Sequence, residues 1–458
     1  MRNGHAVVLG GGFAGMVTAG VLTEFYEWVT VLDRDSPSAP GDYRRGAPQG
    51  RHAHGLMPRG AQLLEEVFPG LLAEMAADGA VRAEMLVGHR FRVGGDELPQ
   101  VATGLRSVQA TLPFHEEHLR RRLLERDGVQ FMPGVDVVGL VADDASATGI
   151  AGVRIILREP GSTEETIAAD LVVDAMGRSG RTPYWLEQLG YDRPPEERLT
   201  VDVAYASRVV RLTPEGAECV RHLVGGDAKG VSRGILMHAV EGGRHVVTVT
   251  GSGSDNSPPV DETGFTDFLS TVAPPDVFQA VMAAESVEPI SAYRFPTAIW
   301  RRYDKLDRFP TGLIVTGEAL CSLSPLFAQG MTAAALEAAA LRSCLTGGRH
   351  DLPRRFFREA ARVVAAPWRM GIGANTSERH PRTATRLQAA LMGRIMAAAT
   401  RDAVVATQLV RVLILLDPPT ALMRPRVLWS ALTKGARVTD SVVPPPSSQV
   451  TAAGPDVV

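Results

Sequence analysis

Gly10, Gly12 and Gly15 follow an apolar run, Ala6-Val-Val-Leu9, at the spacing G-x-G-x-x-G, and an alanine-rich stretch opens behind them. That combination can bind phosphate. The first glycine permits a tight turn, the second lets backbone approach a pyrophosphate, and the third lets a helix pack close to the strand before it. The helix N-terminus then turns its unpaired N–H groups and its dipole on the phosphates. A second apolar run, Val29-Thr-Val-Leu32, ends in Asp33, about 20 residues on, where an acid accepts ribose hydroxyls. A glycine-rich turn with no ligand is the plain alternative. Strand, glycines, helix and acid in register read instead as a site for the ADP part of a dinucleotide.

A comparable element returns late in the chain. Leu313-Ile-Val-Thr-Gly-Glu318 runs apolar strand into Gly317 and an acid, Glu318, and a loop then leads through Gly330 and Met331 into an alanine-rich helix. Between the two elements lie side chains able to move a proton: His52 and His54 in a Pro/Gly/Arg-rich loop over residues 36–60, and Tyr205, His238 and Tyr293 in apolar surroundings. Any of the five could act as a general base, and each is equally an ordinary structural residue. His52 and His54 have no acid or cysteine at ligand spacing, so no metal site is read there. Cys219, Cys321 and Cys344 are too scattered for a disulfide framework, which suits a reduced, cytoplasmic protein.

The elements that must hold these groups follow from periodicity. With 458 residues, the chain has room for two or three cores. A net charge of −3 argues against a nucleic-acid partner. The longest apolar helix-like run, 404–416, carries Gln408 and Arg411 and stops at Asp417-Pro-Pro; it is too short and polar to cross a membrane. The first apolar run is the glycine strand itself, so no signal peptide is read. Residues 62–77 predict one amphipathic helix and 115–127 a charged helix whose Arg120, Arg121 and Arg122 would ordinarily be a solvated face. Alternating runs over 200–211, 234–240 and 244–250 predict antiparallel strands. Val201, Val203, Tyr205, Ile235, Met237, Val247 and Val249 read either as ordinary sheet core or as the wall of a hydrophobic site. The last hundred residues read as helical, with a Pro/Ser/Ala-rich tail expected to be disordered.

Together these blocks resemble the FAD-dependent class A flavoprotein monooxygenases, of the p-hydroxybenzoate hydroxylase-like fold, and among them the polyether epoxidases of the monensin and lasalocid pathways. The resemblance is carried by residues 5–15, by Arg45-Gly-Ala-Pro-Gln-Gly-Arg-His-Ala-His54, by Asp170-Leu-Val-Val-Asp-Ala-Met-Gly-Arg-Ser-Gly-Arg181 and by 312–334, and weakens after about residue 345. It implies an α/β fold: a Rossmann-like FAD-binding domain of the glutathione-reductase type (1–80, 105–195 and 301–346), interrupted by an antiparallel-sheet substrate domain (81–104 and 196–300). A C-terminal helical region (347–440) and a tail (441–458) follow. It also implies cofactor-binding roles. Gly10, Gly12 and Gly15 hold the FAD pyrophosphate and Asp33 the adenosine ribose. Arg45 reaches the flavin side, and Arg120 the phosphates or ribose. Gly317 and Glu318 meet the ribityl chain, and Gly330 and Met331 turn N–H groups on the isoalloxazine.

Three departures stand out. The acid after Gly317 is Glu318 where Asp is usual, and Ala328 stands where a glycine is usual. Ala175-Met176-Gly177 replaces the family's Ala-Asp-Gly, a segment tied to FAD and nicotinamide coenzyme, so electrons come either from NAD(P)H directly or from a partner flavin reductase. The implied chemistry is O₂ addition to reduced flavin, giving a C4a-hydroperoxide that passes its distal oxygen to a small hydrophobic, polyketide- or terpenoid-like substrate, by epoxidation of an alkene or by hydroxylation. Epoxidation needs no protein base, so no catalytic side chain is singled out. Aromatic hydroxylation and prenyl-chain reduction are the alternatives within the fold, and a non-enzymatic prenyl carrier a remoter one. Motif weighs against halogenation: no lysine precedes Lys229 and no two tryptophans are two apart.

Overall fold

The computed structural model describes residues 4–36, 42–93, 95–143, 148–219, 222–226, 233–376 and 383–435; the C-terminal tail lies outside them. The strand His5–Leu9 is the middle of a five-stranded parallel sheet, flanked by Leu171–Asp174 and Leu313–Val315 on one side and by Trp28–Asp33 and Val129–Pro133 on the other. Its strands are apolar almost throughout because both faces are covered. The helix Phe13–Leu22 packs on one face between the sheet and the helix Gly330–Thr346. A three-stranded antiparallel sheet, Val135–Ala142, Ile150–Leu157 and Glu164–Ala168, covers the other.

A nine-stranded sheet stands beside this unit. Its long strand Glu196–Arg211 lies between Ser291–Arg301 and Arg244–Ser252, and the sheet continues through Arg233–Val240 and His222–Gly226 to Arg90–Val93. Strand alternation gives it two faces with different jobs. Ile235, Met237, Val247 and Val249 pack against the helices Glu262–Val272 and Pro275–Met282, while Tyr205, Leu236, Thr248, Tyr293 and Phe295 face a large cavity. The expected wall was therefore drawn partly from the wrong face. Valine and isoleucine mark a strand's driest side, and here that side is covered by helices; Val201 and Val203 belong to the main core.

The predicted helix over 62–77 is two helices, Pro58–Val67 and Leu71–Ala77. Pro69 and Gly70 part them, with Gly70 left-handed at φ 86°, a conformation that favours glycine. The charged helix is Leu112–Leu124, started by Thr111, whose hydroxyl accepts from the Phe114 N–H. The C-terminal helices Thr383–Ala399, Ala403–Leu413 and Pro425–Thr433 build a second core around Ile395, Val405 and Leu409, which also takes in Met57, Met85 and Leu98. Among the described residues no helix is long and apolar enough to cross a membrane.

Candidate active site

One cavity of about 810 Å³ runs between the parallel sheet and the nine-stranded sheet. Gly10, Gly12, Phe13, Asp33 and Arg44 line one end of it; Glu318, Ala328, Gly330 and Met331 line the other, with Tyr205, Tyr293 and Phe295 beside them. The two sequence elements that looked alike thus meet across one space.

The first end is a phosphate cradle made of backbone. Gly10 turns at φ 104°, where a Cβ would stand 2.6 Å from the Ala175 carbonyl oxygen, so only glycine fits. A Cβ on Gly15 would sit far inside contact with the Gly10 carbonyl, which is why helix and strand can lie so close. Asp33 is buried, and its carboxylate accepts from the N–H groups of Gly11 (2.9 Å) and Asp35 (2.8 Å). Arg44 bridges Asp33 (3.1 Å) and Glu116 (2.7 Å from both Nε and Nη2). Glu116 in turn accepts from the Phe13 N–H at the helix N-terminus, at 3.2 Å. A carboxylate of the chain thus occupies the anion position that the dipole favours. Burial pushes both acids above the usual carboxylate range, and Arg44 pulls them back.

Two turns at the other end are stapled together by Arg301, which donates to the carbonyls of Ala319 (2.8 Å) and Arg178 (3.1 Å) and to Glu196 (3.2 Å). Gly317 is left-handed at φ 63°. Its N–H and the Thr316 hydroxyl both donate to Glu337, at 2.6 and 2.8 Å. Glu337 is 1 % exposed, and burial raises its carboxyl to about 7. Glu318 lines the cavity with its carboxyl raised by burial and opposed by Arg178. Ala328 sits at φ 51°, in the left-handed region, just before Gln329 and the helix Gly330–Thr346. Gln329 donates to the Leu413 carbonyl at 2.8 Å, which ties this end to the C-terminal helices.

His52 stands against the sheet wall. Its Nδ1 lies 2.7 Å from Ser207 Oγ, which lies 2.6 Å from Thr248 Oγ1, and Thr248 accepts from the Ala53 N–H at 3.1 Å. Its ring packs on Tyr205 and Tyr293, and Nε2 is buried without a hydrogen-bond partner. Burial drops its pKa to about 3, so the imidazole is neutral. The Tyr205 hydroxyl is also buried and unpartnered, and its pKa is pushed up by burial.

Of the residues singled out in the sequence, Gly10, Gly12, Asp33, Gly317, Glu318, Gly330 and Met331 line the cavity, with Gly15 packed behind them. His52, His54, Tyr205 and Tyr293 line it too. Arg120 lies at the outer rim near Phe131 and pairs with Glu117. Arg45 is exposed and outside the lining; the arginine that turns inward is its neighbour Arg44. His238 is buried away from the lining, among other histidines. Asp174 is fully buried and holds its own turn through the Met176 N–H (2.9 Å) and the Thr182 hydroxyl (2.6 Å), while Met176 takes the cavity-facing place. Glu116 and Glu337 escaped the sequence reading. Each stands on the apolar stripe of its helix, and an acid at such a spacing was the available signal.

The cradle, the anion position at a helix N-terminus and a cavity continuous with the second glycine turn fit a long dinucleotide. Residues 4–347 match the family model described as FAD binding domain. Protein Rv3254 of Mycobacterium tuberculosis is 35 % identical over 439 residues, covering 90 % of each chain. Among solved structures, p-nitrophenol 4-monooxygenase PnpA from Pseudomonas putida has a similar fold (TM-score 0.64, 16 % identity, 90 % of this chain and 98 % of that one). So does PqsL, a probable FAD-dependent monooxygenase from Pseudomonas aeruginosa (TM-score 0.63, 17 % identity, 82 % and 97 %). The chain belongs to the FAD binding domain family, with FAD as its cofactor and the fold of the FAD-dependent monooxygenases.

Proposed function

We propose that the protein is an FAD-dependent monooxygenase that transfers one atom of O₂ to a hydrophobic polyketide- or terpenoid-like intermediate, by epoxidation of an alkene. The observation that carries this reading is the single cavity joining the phosphate cradle to an apolar sheet wall. FAD bound along it supplies the redox chemistry of oxygen transfer. The protein's part is to bind, orient and keep water out. The helix N-terminus at Gly330 and Met331 turns N–H groups on the far end of the cofactor, where they stabilise negative charge. Tyr293, Phe295 and Leu323 offer the substrate an apolar face.

Burial holds the His52 imidazole neutral, with its pKa lowered to about 3, which makes it a weak base toward a phenol, whereas an alkene needs no base. With Ser207 at Nδ1, the Nε2 side of His52 is left to recognise a polar group on the substrate.

The reading keeps the discontinuous FAD-binding part (1–80, 105–195 and 301–346), the substrate part (81–104 and 196–300) and the helical region (347–440). It leaves NAD(P)H or a partner flavin reductase as the electron source. The test is mass spectrometry of metabolites from cells with and without the gene, grown under isotope-labelled O₂. A product heavier by one labelled oxygen, with no hydrogen gained or lost, supports monooxygenation, and loss of the alkene signals from its NMR spectrum marks that oxygen as an epoxide rather than a hydroxyl. A product that has gained hydrogen and no oxygen overturns it in favour of a reductase.

A further inference from the structure

Among the described residues seven histidines are buried: His52, His89, His115, His118, His222, His238 and His245. Three of them converge. His222 and His238 are cross-strand partners on His222–Gly226 and Arg233–Val240. His89 directly precedes Arg90, which pairs in parallel with Leu223. Sheet register thus gathers three rings: His89 and His222 are stacked with centroids 4.5 Å apart, His222 and His238 are tilted at 5.5 Å, and His89 and His238 meet edge-on at 6.2 Å. One ligand-capable nitrogen from each lies within 4.8 Å of the others, and each residue is at most 1 % exposed.

An apolar core gains nothing from three imidazoles that leucines would not supply at lower desolvation cost. The surroundings instead set up one of them as a ligand. Ser107 donates to the Ala83 carbonyl at 3.1 Å, and Gln109 Nε2 donates to Ser107 Oγ at 3.0 Å. His89 Nε2, 3.3 Å from both Ser107 Oγ and Gln109 Nε2, is left as an acceptor, and its Nδ1 faces the Glu84 carbonyl at 3.5 Å. A lone pair turned inward and the other ring N–H turned on a backbone carbonyl is the arrangement of metal-ligating histidine. His238 Nδ1 and Gln109 Oε1 are also buried with no hydrogen-bond partner, Oε1 lying against Gly55. Gln109 is itself 0 % exposed; a half-turn of its amide, whose two ends have the same shape, would give up the bond to Ser107 and set the amide oxygen beside His89 in its place.

We propose that His89, His222 and His238 form a three-histidine site for a zinc-like divalent transition metal, with the Gln109 amide oxygen as fourth ligand. Imidazole ligands suit zinc, nickel or copper and not magnesium or calcium, which demand oxygen. Metal–nitrogen bonds of ~2.0–2.1 Å place tetrahedral nitrogens about 3.4 Å apart, so nitrogens that lie within 4.8 Å of one another close onto the ion as it binds. Leu236 and Thr248, cross-strand partners, line the cavity. His238 is two residues beyond Leu236 on the same face, roughly 7 Å along the strand. The ion is thus a structural clasp that fastens the strands His222–Gly226 and Arg90–Val93 to the sheet forming the cavity wall. Glu74, Asp78 and His118 also lie within ligand reach of one another, but Arg121 already pairs with both acids, and that group needs no ion.

The test uses the full-length, untagged holoprotein. Purified chain is assayed for metal, stripped with a chelator, and titrated with Zn²⁺ against a chromophoric competitor, then with Co²⁺ followed by visible absorption. The expected results are one equivalent of metal per chain, a tetrahedral Co²⁺ band and a higher melting temperature with Zn²⁺ and not with Mg²⁺. His89→Asn and His238→Asn each weaken Zn²⁺ binding by 100-fold or more, and His118→Asn leaves it unchanged. If a histidine variant fails to fold, the Co²⁺ band of the unaltered chain decides. No retained metal together with no Co²⁺ band overturns the site, as does a His89→Asn chain that binds Zn²⁺ like the original.

Discussion

The two ends of the cavity treat charge in opposite ways. At the cradle, each acid is answered by a cation and by backbone: Glu116 by Arg44 and the Phe13 N–H, Asp33 by Arg44 and the N–H groups of Gly11 and Asp35. Around the second glycine turn, Glu337 is answered only by the uncharged donors Gly317 and Thr316 and is raised to about 7. Ala328 is held left-handed there without a glycine's freedom. The first end is built to trade one anion for another.

The largest effect should come from Gly15→Val, which drives a methyl-bearing carbon into the Gly10 carbonyl. A loss of more than about 4 kcal/mol is expected, read as a chain that no longer melts cooperatively; near-normal melting would break the view of the cradle as rigid. Glu337 comes next. Its carboxyl is raised from 4.5 to about 7 in the folded chain, so the folded state holds its proton more tightly than the unfolded one. Stability then falls as pH rises between those values, by about 3 kcal/mol in total. Glu337→Gln should remove that slope from denaturant midpoints measured between pH 4.5 and 7.5, and an unchanged slope would deny the contrast. Gly12→Val meets only the tip of Arg44, at 3.0 Å. It should cut FAD affinity by ~100-fold, or about 3 kcal/mol, while moving apoprotein stability by less than about 1 kcal/mol; fluorescence titration with FAD separates the two. The smallest change is a gain. Ala328→Gly relieves a left-handed alanine and should stabilise by roughly 1 kcal/mol, seen as a higher denaturant midpoint.

What could be read in the sequence was local. Gly10, Gly12 and Gly15 were legible because a turn, a close approach and a helix start are all settled within a dozen residues. Arg44 and Arg45 were not separable, since an irregular loop has no periodicity to say which side chain turns inward. Glu116 looked like part of a charged face, yet it follows Leu112 and precedes Leu119 and Leu123 at the spacing of the buried stripe. Glu337 stands likewise among Ala333, Ala338 and Leu341. The sheet wall was misread by one residue because alternation marks two faces without saying which is covered by helices. The histidine cluster depends on pairing between strands far apart in sequence, and no spacing announces it.

Glu116 on the Phe13 N–H also bears on which ligands the apoprotein would admit. On the proposed reading a pyrophosphate goes to this helix end, where inorganic phosphate, sulfate and stray nucleotides would meet a berth already neutralised from within. A newcomer has to evict that resident carboxylate. One that brings only a phosphate gains little by doing so, whereas a ligand long enough to fill the cavity to its far turn recovers the loss through everything else it touches. Selectivity at this end is a contest of displacement, decided by the length of the challenger.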